Sequence, residues 1–143
     1  MTDATILLVD DETAFVDTME KRLTKRNMTV LKAYSGDEAL LKLQSHPEIQ
    51  VVVLDVKMPV KDGHEVLQEI KTSHPLVEVI MLTGHGTVDS AIAGIQTGAH
   101  DYLMKPCELD TLIEKIHQAV EDKNKNEQTA VNARVHDIAQ RIA

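Results

Sequence analysis

Carboxylates, a threonine and a lysine recur at the ends of short apolar runs, and together they suit phosphoryl chemistry. Asp10-Asp11-Glu12 follow Ile6-Leu7-Leu8-Val9, and Asp55 follows Val51-Val52-Val53-Leu54. Thr83 follows Val79-Ile80-Met81-Leu82, and Lys105-Pro106 follow Tyr102-Leu103-Met104. Carboxylates gathered at one edge repel one another, so each resists ionisation until a cation enters. Mg²⁺ answers that need, because it takes oxygen ligands in octahedral geometry and keeps several waters. One or two carboxylates, a backbone carbonyl and waters would fill its shell. A carboxylate is also a nucleophile toward phosphorus, and its product is an aspartyl phosphate. Lys105 would pair with a carboxylate or with an incoming anion. The Thr83 hydroxyl would bond one oxygen of the transferring group, and Gly84 leaves room for that group to enter.

The elements that must position these residues are legible in the spacing. The runs at 6–9, 51–54 and 79–82 are continuously apolar, as in strands covered on both faces. Val30 to Ala33 and Tyr102 to Met104 complete a set of five strands. Between them lie residues at helical spacing: Phe15, Met19 and Leu23; Ala39, Leu40 and Leu43; Val66, Leu67 and Ile70. Val88, Ala91, Ile92 and Ile95 follow the same rule, as do Leu109, Leu112, Ile113, Ile116 and Val120. Ser35 with Glu38 three residues on is a capping box. Pro47 and Pro75 end helices, Gly98 suits a helix C-cap, and Asp62-Gly63 signals a turn. Five βα units in succession predict an α/β fold, a doubly wound five-stranded parallel sheet with right-handed crossovers. Such sheets bind ligands at the carboxyl ends of their strands, where the reactive residues fall. Periodicity does not state the strand order.

Composition narrows the function. The 143 residues fit one domain, and the formal charge of −8 disfavours direct binding to nucleic acid. A single cysteine, Cys107, rules out an internal disulfide framework and suits a reducing, cytoplasmic setting. The N-terminus lacks a signal-peptide pattern, and no apolar run approaches the ~20 residues that span a membrane.

Five blocks then carry a resemblance: Leu8-Val9-Asp10-Asp11-Glu12, Val53-Leu54-Asp55-Val56-Lys57-Met58-Pro59, Asp62-Gly63, Leu82-Thr83-Gly84 and Tyr102-Leu103-Met104-Lys105-Pro106. In this order, over residues 4–121, they resemble the receiver domain of two-component response regulators. The resemblance implies a flavodoxin-like (βα)5 fold with strand order 2-1-3-4-5. It implies Asp55 as phosphoacceptor and Asp11 and Asp55 as direct Mg²⁺ ligands. Asp10 would act through water, and the Lys57 carbonyl would be the backbone ligand. Thr83 and Tyr102 would form a switch pair, Lys105 would bind the phosphoryl group, and the Lys105-Pro106 bond would be cis. A sensor histidine kinase would supply the phosphoryl group, and an output domain or partner protein would read the result. Such a domain catalyses only its own phosphorylation and dephosphorylation. Thr83-Gly84-His85-Gly86 is similar to receivers of transcription activators that work with the alternative sigma factor. Cys107 departs from the family, which often has Phe there.

Two other classes bear on the same residues. A phosphohydrolase with an aspartyl nucleophile usually carries a second Asp two positions on, where this chain has Lys57; Glu65 or His85 would have to replace it. An unphosphorylated interaction module would not need the intact acidic set. The seven histidines show no close metal-ligand spacing and read as surface residues. His85 is the exception, since with Lys57 it is placed to tune hydrolysis of the aspartyl phosphate. Cys107 reads as a small packing residue. Residues 122–143 read as a linker or a helical extension, with Val131, Val135, Ile138 and Ile142 spaced 4, 3, 4 in a short coiled-coil-like seam. That seam leaves a homodimer open.

Overall fold

The computed structural model describes residues 4–142. Five strands alternate with five helices: β1 (Thr5–Val9), α1 (Thr13–Thr24), β2 (Thr29–Ala33), α2 (Gly36–Ser45), β3 (Val51–Leu54), α3 (Gly63–Ser73), β4 (Glu78–Thr83), α4 (Val88–Thr97), β5 (Asp101–Met104) and α5 (Leu109–Ile142). All strand pairs are parallel, in the order β2-β1-β3-β4-β5. This is the flavodoxin-like receiver fold. The order reverses direction between β1 and β3, so the carboxyl ends of those two strands border the crevice where such sheets bind ligands.

The period-2 alternation of the strands divides the core in two. Leu7, Val9, Val52, Leu54, Val79 and Met81 pack with Ala39 and Leu43 of α2 and Val66, Leu67 and Ile70 of α3. Ile6, Leu8, Val51, Val53, Ile80 and Leu82 pack on the other face with Val16, Met19 and Leu23 of α1 and Leu112, Ile113 and Ile116 of α5. Each such side chain contributes about 1.5–3 kcal/mol relative to exposure. Burial on both faces is why the central strands have no polar alternation.

Local chemistry sets the helix ends. The Ser35 hydroxyl accepts from the Glu38 N–H, and Asp62 caps α3 by accepting from the Glu65 N–H. Asp62-Gly63 is therefore a helix start as well as a turn. Gly98 ends α4 at φ 113°, a conformation open to glycine at no steric cost.

Val88, Ile92 and Ile95 share the outer side of α4 and are 75%, 50% and 49% exposed. The face that α4 turns inward carries Gly94, its one buried residue. A Cβ there would lie 2.9 Å from Met81 Sδ, with the Tyr102 ring of β5 in ordinary contact at 3.6 Å. α5 runs unbroken through residues 121–129 to Ile142. Val131, Val135, Ile138 and Ile142 are exposed along that extension, and Ala143 lies outside the described residues. No helix among the described residues is long and apolar enough to cross a membrane.

Candidate functional site

Strand register brings the acidic residues together. Val9 and Leu54 are partners across β1 and β3, so Asp10 and Asp55 leave the sheet side by side. The Asp55 N–H donates to the Val9 carbonyl (2.9 Å) and the Asp10 N–H to the Ala33 carbonyl (3.2 Å), which fixes both backbones. Carboxylate oxygens of Asp10, Asp11 and Asp55 all lie within 4.8 Å of one another. Asp10 and Asp55 are each only 3% exposed, while Asp11 is open to solvent. The cluster thus has a buried floor and one accessible side.

Lys105 closes it from the far strand. Its ammonium donates to Asp10 Oδ2 (2.6 Å) and to Glu12 Oε1 (3.3 Å), and it sits 4.0 Å above the Phe15 ring. Burial works against its charge, but Asp10, Asp55 and Glu12 outweigh that and raise its pKa above the ordinary lysine value. Asp10 Oδ1 accepts from the Glu12 N–H (3.0 Å), and Asp55 Oδ1 from the Val56 N–H (2.9 Å). Burial pushes the Asp55 carboxyl above its usual range, and the Asp10 charge adds to this. Thr83, Lys105 and the Val56 N–H oppose the shift without cancelling it. One ammonium does not balance Asp10, Asp11, Glu12 and Asp55, and the Asp10–Asp11–Asp55 group could hold a metal ion.

Three neighbours hold this geometry. Thr83 is fully buried at the end of β4 beside Asp55, and its hydroxyl accepts from the His85 N–H (3.0 Å). Thr83 pairs with Met104 across β4 and β5, and its carbonyl accepts from the Lys105 N–H (2.9 Å), which brings Lys105 to the acidic edge. Gly63 donates to the Val56 carbonyl (2.7 Å), and a Cβ on it would lie 2.2 Å from the Asp55 carbonyl oxygen. Any side chain there would displace the Asp55 backbone. The Lys105-Pro106 bond is cis.

Lys57 lies on the loop two residues past Asp55, with its side chain exposed. Tyr102 stands apart from the carboxylates, half-buried under α4 with its hydroxyl 2.8 Å from Ser90 Oγ. Ser90 in turn lies 2.9 Å from His64 Nε2. His64 is thus no surface histidine, and neither is His100, whose Nε2 lies 2.7 Å from Asp122 Oδ2. His85 is exposed. Burial, then Glu108, pushes the Cys107 thiol up, and Cys107 packs against the core beside α5. Sequence reasoning missed Glu12 and Phe15 as partners of Lys105, and also the pairing of His64 with Ser90. Glu12 was within reach as the third residue of an acidic run; the others carried no local signal.

Comparison with known proteins agrees with this geometry. Residues 6–117 match the family model described as the response regulator receiver domain. The DNA-binding transcriptional regulator NtrC of Salmonella typhimurium is 32% identical over 123 residues, covering 86% of this chain and 26% of that protein. The transcriptional regulatory protein GlrR of Escherichia coli is 35% identical over 118 residues, 82% of this chain and again 26% of the relative. The chain therefore spans about a quarter of the length of these curated relatives. The crystal structure of a response regulator receiver domain protein from Clostridium thermocellum superposes with a TM-score of 0.80 at 38% identity, covering 85% of this chain and 97% of that one. With these matches and its acidic pocket at the β1–β3 edge, the chain belongs to the response-regulator receiver domain family, which is not a class of conventional enzymes.

Proposed function

We propose that the chain is a phosphorylation switch of a two-component phosphorelay, with Asp55 as the phosphoacceptor and a sensor histidine kinase as donor. The observation that carries this reading is the placement of Asp55. It is buried, its carboxylate lies within 4.8 Å of those of Asp10 and Asp11, and Thr83 and the Lys105 charge act on it.

The donor set fits Mg²⁺: it offers hard oxygen ligands from three carboxylates within 4.8 Å of one another. Asp11 and Asp55 would hold the ion directly, Asp10 through water, and Lys57 through its backbone carbonyl. When bound, the ion neutralises charge on the oxygens of the transferring group. An Asp55 oxygen attacks phosphorus in line with the imidazole of the donor phosphohistidine. The new O–P bond forms as the P–N bond breaks, and the electron pair returns to the imidazole nitrogen, which takes up a proton. Lys105 stays beside the group as a fixed positive charge. The Thr83 hydroxyl turns from the His85 N–H to donate to a phosphoryl oxygen. The phosphoryl group carries about −1.5 to −2 charge, and Tyr102 moves with Thr83. Ligation at Asp55 thereby shifts a two-state equilibrium; reversing it from 1:99 to 99:1 takes about 5.5 kcal/mol.

Residues 4–121 form the receiver in this reading, and 122–142 are a helical extension. The DNA-binding regulators among the relatives favour transcription as the output, in a cytoplasmic setting, through an output domain or a protein partner. Lys57 occupies the position of the second Asp of aspartyl-nucleophile hydrolases, which favours a switch over turnover of phosphate esters.

Acetyl phosphate with Mg²⁺ tests this, read by intact mass. One phosphoryl adduct is expected, absent after chelation and absent in Asp55→Asn. An adduct that persists in Asp55→Asn would contradict the assignment.

A further inference from the structure

Tyr102 is held by residues that the phosphoryl chemistry does not use. Its hydroxyl lies 2.8 Å from Ser90 Oγ, in the first turn of α4. Ser90 Oγ lies 2.9 Å from His64 Nε2, in the first turn of α3. A serine hydroxyl offers one proton and two lone pairs, so it bridges a phenol and an imidazole with both bonds satisfied. The chain of bonds ties three elements together at one point.

The ring has a seat cut to its shape. Gly86, Ser90 and Gly94 recur every four residues, which places them along one side of α4 and the turn leading into it. A Cβ on Gly86 would lie 3.1 Å from Tyr102 Cε1 and 2.2 Å from Met104 Sδ. One on Gly94 would lie 3.6 Å from Tyr102 Cδ2 and 2.9 Å from Met81 Sδ. A side chain at Gly86 would press on the ring, and one at Gly94 would press on Met81 beside it. With Val88, Ile92 and Ile95 turned to solvent, α4 has little other apolar attachment.

The seat also lies in line with the site. Tyr102 pairs with Met81 in register, and Thr83 is two residues on along β4, so Tyr102, Met81 and Thr83 share one face of the sheet. On the far side, His64 follows Gly63, which abuts the Asp55 carbonyl. The relay therefore ends at His64, next in sequence to the glycine packed on the phosphoacceptor loop, and at Tyr102, on the same sheet face as Thr83.

We propose that Ser90 and His64 are positioning residues that clamp Tyr102 in its seat beneath α4 and so bias the resting protein toward the phosphoryl-binding arrangement. This rests on the reading above, in which Thr83 and Tyr102 move together. By linkage, whatever favours the seated ring raises affinity at Asp55 by the same factor.

The test uses beryllofluoride, a phosphoryl mimic, on fluorotyrosine-labelled protein in Mg²⁺. The chain has two tyrosines, and Tyr34→Phe assigns the Tyr102 fluorine signal. Ser90→Ala and His64→Ala are expected to move that signal before any mimic is added. They are also expected to weaken beryllofluoride binding about threefold to tenfold, the scale of one hydrogen bond. Ser90→Thr, which keeps the hydroxyl, restores both. A Tyr102 signal unchanged by Ser90→Ala would overturn the clamp. A shifted signal with unchanged affinity would overturn its bias on the site. Wild-type protein that does not bind the mimic would overturn the phosphoacceptor reading instead, and the fluorine signal would still decide the clamp.

Discussion

Burial and the Asp10 charge hold the Asp55 carboxyl above its ordinary pKa. The folded protein therefore binds a proton there more tightly than the unfolded chain does. The stability from this group is fully present below the unfolded pKa and is lost as pH rises through the folded value. At neutral pH without metal, the Asp55 charge is a cost to the fold. Asp55→Asn removes that charge at nearly constant shape, so its thermal midpoint in chelator should exceed wild type by a few degrees. Adding Mg²⁺ should narrow the gap by raising wild type more than the variant. Equal midpoints in chelator would contradict the electrostatic account. Lys105 works in the opposite sense. Lys105→Met leaves Asp10 buried without its partner and should cost about 2 kcal/mol in a denaturant titration. Val60 presents a different problem, since it holds φ 67° while 98% exposed. A β-branched residue in that region is strained by about 1–2 kcal/mol. Val60→Gly should therefore stabilise the protein by about 1 kcal/mol, and a loss of stability would show that the loop gains something else from the valine.

Among the elements, α4 and the end of α5 are the least anchored to the core. The body of α5 buries Leu112, Ile113, Ile116 and Ala119, whereas Val131, Val135, Ile138 and Ile142 are exposed. The His100–Asp122 contact marks where the helix leaves the body. A helical segment of about 20 residues without packing is marginal in water. Amides beyond residue 125 should then exchange with solvent far faster than those of Leu112 to Ala119, as hydrogen exchange would measure. Comparable protection in both halves would mean that the exposed seam is covered in solution, by a second copy or another partner. The sheet behaves otherwise. Its central strands β1, β3 and β4 are buried on both faces, and their amides should be the slowest to exchange.

At the scale of the whole molecule, what could be read from the sequence follows from which forces are local. Strands covered on both sides must be continuously apolar, so Val51 to Leu54 and Val79 to Leu82 announced themselves. Asp10, Asp55, Thr83 and Lys105 were findable because strand ends converge in a parallel sheet. The strand order came only through the family resemblance, because periodicity carries no information on crossovers. The orientation of α4 was not legible for a related reason. Helical spacing shows that Val88, Ile92 and Ile95 share a face, and it does not say whether that face meets the core. The inward side carries Gly94, packed over Met81 and the Tyr102 ring. His64 and His100 were misjudged because their partners lie 26 and 22 residues away. The central claim concerns one oxygen of one side chain. The most direct test treats the phosphorylated protein with borohydride, which reduces an aspartyl acyl phosphate to homoserine, and maps the peptides. Homoserine at position 55 alone is the predicted result, and reduction at Asp10, Asp11 or elsewhere, with Asp55 intact, would contradict the account.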